Sequence, residues 1–200
     1  MTKEIIFGDK STFGIRYASG YTYKGNPKWL YSFLHLTLGG QIIGDKDESC
    51  STETWIYNIK RIQKRLVEHF ADLKNTEFKD RRDDEVFELV WKSNQSEEEF
   101  SPEYQYLPVL DNDVWSSCHL SIDETIDAWL ITMTEDNSKL KFIWKGWRNP
   151  CPEEEIGKLY STNVDKDFVV KTINECVSYV ENDYKNYRVV DSWDETTKDK

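Results

Sequence analysis

The sequence predicts an α+β fold: a mainly antiparallel sheet built from hairpins, with two principal helices packed on one face. Three observations predict it. Hairpin signals occur twice, at Gly39-Gly40 and across residues 135–139. Two stretches, one starting at Trp55 and one at Val169, repeat apolar residues at helical spacing. Hairpins also dominate the connections, which disfavours a parallel crossover sheet. The 200 residues, 38% hydrophobic and 14% aromatic, can bury roughly 70% of the unfolded chain's surface in one core. One domain is therefore expected over residues 1–185, followed by a polar C-terminal tail over 186–200.

The organising stretch is WLYSFLHLTLGGQIIGD, residues 29–45. Trp29, Tyr31, Phe33 and His35 fall on one side of an extended chain and Leu30, Leu34, Leu36 and Leu38 on the other, as in a strand covered on both faces. Gly39-Gly40 supplies the tight turn, Gln41, Ile42 and Ile43 resume the extension, and Gly44-Asp45 ends it. Before this hairpin, Phe13, Ile15 and Tyr17 read as a first strand preceded by the turn residues Gly8 and Asp9, and residues 20–27 read as a loop. After it, a polar linker ends in the helix-capping residues Ser51 and Thr52. Trp55, Ile59, Ile62, Leu66, Phe70 and Leu73 then mark the clearest helix, whose outer face carries Lys60, Arg61, Lys64 and Arg65 as a solvated basic run.

Residues 75–84 are charged and read as a loop, and residues 86–91, VFELVW, as a strand. Residues 92–108 form an acidic, aromatic-spotted segment without lasting periodicity, suited to a loop or a recognition surface. Trp129, Ile131 and Met133 alternate with polar or small neighbours as a strand, and Leu140, Phe142 and Trp144 make its return. Pro152 with three glutamates can open one helical turn. Asp165 is positioned to cap a closing helix in which Val169, Ile173, Cys176 and Val180 share a face.

A net charge of −11 and a pI near 4.8 disfavour nucleic acid and anionic membranes as partners, because both require clustered Lys and Arg. They suit a basic protein partner met by electrostatic steering. The opening MTKEIIFGDK has no signal-peptide core and no long apolar run follows, so a cytoplasmic location is expected. Cys50, Cys118, Cys151 and Cys176 are scattered and read as free, mostly buried thiols. His35, His69 and His119 lie far apart, and no metal-ligand spacing, phosphate loop or nucleophile motif occurs. Cys118-His119 does not make a nucleophile and base if the two are strand neighbours, which point to opposite faces. Asp45 with Asp47 and Asp111 with Asp113 are the kind of carboxylate pair that chance produces among 37 acidic residues. No catalytic residue, cofactor or metal is expected.

The stretches IFGDKSTFGIRY, WLYSFLHLTLGGQIIGD, STETWIYNIKRI and IDAWLITMTEDNSKLKFIW resemble the immunity protein 42 family of bacterial polymorphic toxin systems, from about residue 6 to about residue 180. The residues that carry the resemblance are Gly8-Asp9, Phe13, Trp29-Leu30, Gly40, Ile43-Gly44-Asp45, Trp129 and Ile143-Trp144. It implies a non-enzymatic α+β protein that binds and blocks a toxin encoded beside it. These residues are fold markers and assign no toxin contact. Residues 75–117 are where partner specificity is expected to lie, and Glu97, Glu98, Glu99, Tyr104, Tyr106, Asp111, Asp113 and Trp115 are the candidate toxin-binding residues. The alternatives are a self-associating adaptor, homodimeric through its surplus aromatics, and a metal-dependent hydrolase.

Overall fold

A computed structural model describes residues 4–95 and 102–191. Its framework is a long antiparallel ribbon of β2 (Phe13–Tyr23) and β3 (Asn26–Leu38). Flanking strands extend both halves of this ribbon into one sheet. Around the first half, β1 (Ile5–Asp9) pairs with β2 and β4 (Gln41–Ile43) with β3. Around the second half, β5 (Cys50–Ser51) joins β3 antiparallel, and β9 (Arg188–Val190) joins β2 in parallel. Gly39 and Gly40 take positive φ at the β3–β4 turn, as the hairpin requires.

The first strand expected from the sequence is therefore the second one. β1 precedes it, and the turn falls at residues 10–12, closed by the Thr12 amide donating to the Asp9 carbonyl at 3.1 Å. The loop expected over residues 20–27 shrinks to Lys24 and Gly25, because the strands continue past a register shift at Gly20. An added Cβ at Gly20 would lie 2.2 Å from the Tyr31 carbonyl oxygen. This close approach lets the ribbon bend without parting, and Tyr21, stacked on Tyr31 with ring centroids 5.1 Å apart, holds the far side.

α1 (Thr52–Glu68) starts where expected: the Ser51 hydroxyl accepts from the Thr54 amide. Trp55, Ile59, Ile62 and Leu66 are buried, and a short 3-10 turn over Phe70–Leu73 continues the apolar stripe to fully buried Leu73. α4 (Lys166–Val180) is capped by Asp165 and buries Val169, Ile173, Cys176 and Val180. Both helices pack on the face of the first sheet that presents Phe13, Ile15, Tyr17, Leu34, Leu36 and Leu38. The opposite face is closed by fully buried His35, whose Nε2 donates to the Asp45 carbonyl at 2.7 Å while its Nδ1 accepts from Arg16 at 3.2 Å.

The second sheet consists of β6 (Trp129–Asp136), β7 (Lys139–Gly146) and β8 (Leu159–Val164), all antiparallel. Ile131, Met133, Leu140, Phe142 and Trp144 point into the core shared with α1 and α4. Phe142 stacks on Phe13, 5.4 Å away, and joins the two sheets.

The expected strand over residues 86–91 is instead part of α2 (Asp83–Ser93). Six residues are too few to separate the two periods, and the surroundings decided for the helix. Asp83, Asp84 and Glu85 lie in its positively polarised first turn, and the Glu85 carboxylate accepts from the Arg82 amide at 3.1 Å. Val86 and Phe87 then cover Ile143 on the outer face of the second sheet. α3 (Asn112–Cys118) follows on the same side of the molecule, packed against α2. Where a polar tail was expected from residue 186, β9 pairs in the sheet and Tyr187 and Val190 are buried. The buried hydroxyl of Tyr17 donates to Asp183, just past the end of α4, at 2.6 Å and so anchors the C-terminal segment to β2.

Candidate functional site

The candidate residues were Glu97, Glu98, Glu99, Tyr104, Tyr106, Asp111, Asp113 and Trp115. The three glutamates lie outside the described residues. The other five occupy a single segment, residues 102–118, which runs across α2 and ends as α3. Leu107 and Leu110 are buried against Leu89 of α2, with Phe78, Tyr104 and Val114 beside them. Between and beyond these anchors the chain turns outward: Tyr106 is 72% exposed and Val109 83%.

The turn is also held through its backbone. The Lys92 ammonium near the end of α2 donates to the Tyr104 carbonyl at 3.3 Å and the Leu107 carbonyl at 2.8 Å. At the start of α2, Arg82 is paired with Asp84 at 2.9 Å. Asp111 and Asp113, exposed at the start of α3, continue the acidic character. The structure thus brings Tyr106, Asp111 and Asp113 to the surface of one segment and turns Tyr104 inward.

Trp115 is half-buried. Its indole stacks on the His119 ring with centroids 3.9 Å apart and meets Trp91 edge-on at 5.6 Å. Below it, the Arg65 guanidinium donates to the Ser117 and His119 carbonyls at 2.8 and 3.2 Å. Arg65 belongs to the basic run expected on the solvated face of α1, and only its neighbours behave as such a face. Lys60 pairs with Glu181 at 2.5 Å, Lys64 with Glu68 at 3.7 Å, and Arg61 lies over the exposed Tyr57 ring. Arg65 instead ties α1 to the end of α3. The available sequence signal was its position directly before core residue Leu66 and three after Ile62.

This neighbourhood is poorly suited to catalysis. Burial, reinforced by nearby Arg65, pushes the His119 imidazole down to about 4, and burial pushes the Cys118 thiol up to about 12. A neutral thiol and a weakly basic ring do not form a nucleophile and base at neutral pH. All four cysteines are free and buried. Among the described residues, no cluster of His, Cys, Asp or Glu is arranged to hold a metal ion, and no helix is long and apolar enough to cross a membrane.

No curated protein matches this chain. Among solved structures, the crystal structure of CdiI from Burkholderia dolosa AUO158 superposes with a TM-score of 0.57 at 12% identity, covering 88% of this chain and 99% of that one. The likeness is one of fold. The residues that carry the sequence resemblance are distributed through that fold: Gly40 in the β3–β4 turn, Phe13 and Trp144 in the core between the sheets, and Trp129 at the start of β6. The family model of immunity protein 42 matches residues 5–179, from β1 to the last turn of α4, and the chain belongs to that family.

Proposed function

We propose that this protein neutralises a toxin encoded beside it, by binding in the cytoplasm and occluding the toxin's working surface without catalysing a reaction itself. The observation that carries this reading is the family match, which spans residues 5–179 and thus both sheets. The partner is a basic toxin domain. A net charge of −11 raises the rate of encounter with such a surface, while a few desolvated anchors set how long the complex lasts. The contact surface centres on Tyr106, Asp111 and Asp113 and includes Glu97, Glu98 and Glu99. Tyr104 and Trp115 support it from beneath.

The test is calorimetry and stopped-flow association with the toxin domain encoded immediately upstream, at low and raised salt. Nanomolar affinity with an on-rate that falls as salt rises is the expected result. Replacing both aspartates, Asp111→Lys and Asp113→Lys, is expected to weaken binding about tenfold at low salt. Unchanged affinity in that variant would overturn the assignment of the surface, and absence of wild-type binding at either salt would overturn the function.

A further inference from the structure

We infer that Lys92 is the positioning residue of the contact surface, holding the 104–110 turn so that Tyr106 and Val109 stand out as a preformed pair of apolar anchors. The inference rests on the toxin-binding reading above and extends it to residues that reading does not assign. Its partner chemistry is an apolar recess with a basic rim on the toxin domain.

Three observations carry it. First, Tyr106 and Val109 are 72% and 83% exposed, while Leu107 and Leu110 beside them are only 3% and 8% exposed. A flexible loop has no reason to alternate in this way. Seating the two leucines on Leu89 leaves Val109, between them, and Tyr106, directly before them, turned outward. Second, the Lys92 ammonium reaches beyond its own helix. It donates to the carbonyls of Tyr104 and Leu107, twelve and fifteen residues along the chain. Those two carbonyls bracket Tyr106, and the Leu107 amide closes the same turn on the Tyr104 carbonyl at 3.0 Å. Third, the chain just past Val109 is acidic, with Asp111 and Asp113 both exposed at the start of α3, so negative charge borders the small apolar centre. Interfaces concentrate their binding energy in this arrangement, and fixing the anchors beforehand removes an ordering cost from association.

A double-mutant cycle separates this role from general support of the fold. Lys92→Met is expected to weaken binding of the upstream-encoded toxin domain about tenfold, and Lys92→Arg, which keeps donors in place, to restore most of it. In a background carrying Tyr106→Ala and Val109→Ala, Lys92→Met should change affinity less than about twofold, because the anchors it positions are gone. A full tenfold loss in that background would overturn the inference. Hydrogen exchange on the free protein reads the pin without any partner: the Leu107 amide should exchange at least about tenfold faster in Lys92→Met, with the amides of β6 and β7 unchanged. Unaltered exchange at Leu107 would overturn the pin. Failure of the wild-type protein to bind would instead overturn the toxin-binding reading and the anchor role with it.

Discussion

At the scale of single residues, His119 shows how far adjacency in sequence can mislead. Cys118-His119 looks like a reactive pair, yet α3 ends between them, sending the thiol into the core and the ring onto Trp115. Burial and the nearby Arg65 guanidinium both favour the neutral imidazole, and a pH dependence of stability follows. In the unfolded chain the ring takes its proton near 6.5, and in the folded chain only near 4. The unfolded state therefore binds more protons between those values, so stability is full above pH 6.5 and falls as pH drops toward 4. His119 alone should remove about 2 kcal/mol between pH 7.5 and pH 5. Buried His35, also pushed down by burial, acts in the same direction. Urea unfolding at the two pH values checks this, and His119→Gln should flatten the slope.

At the scale of elements, legibility followed length. α1 and α4 were readable because their apolar stripes repeat over several turns and begin at side-chain caps, Ser51 and Asp165. The two glycines and the Asn137-Ser138 pair, all at positive φ, marked both hairpins. α2 was not readable, because VFELVW fits either period and its helical state rests on Ile143 of another element. β8 and β9 are short and gain their identity from the strands they pair with, which no local pattern records. In the candidate segment, composition suggested that Tyr106, Asp111 and Asp113 would be exposed, as they are, whereas the backbone bonds of Lys92 and Arg65 left no trace in the sequence. Both are cations that bond to backbone far along the chain, and sequence shows only that they are charged. The bend at Gly20 yields a prediction at this scale. Gly20→Ala should destabilise the protein by about 1–3 kcal/mol, because its methyl would collide with the Tyr31 carbonyl, which cannot move without parting the ribbon. Gly25→Ala, with open space around it, is the control, and denaturant midpoints compare them.

At the scale of the whole molecule, the two sheets share one core, and β9, the last of the described strands, is fastened to β2. The Tyr17 hydroxyl reaches Asp183 and Tyr187, Tyr187 reaches Thr52, and Thr52 reaches Ser32, all out of water. A chain stopped at residue 186 loses Tyr187 and β9 and leaves the second half of β2 with an open edge. It is expected to lose cooperative thermal unfolding, whereas a chain stopped at residue 191 should retain it, as calorimetry of the two would establish. The parallel pairing of β9 with β2 also governs timing. Synthesis runs from the N-terminus, so β2, β3 and α1 emerge from the ribosome long before their final neighbour exists, and pairing across so many residues is slow to find. Under the neutralising role proposed above, a nascent chain therefore offers its bearer no cover, and protection rests on the finished molecules already present.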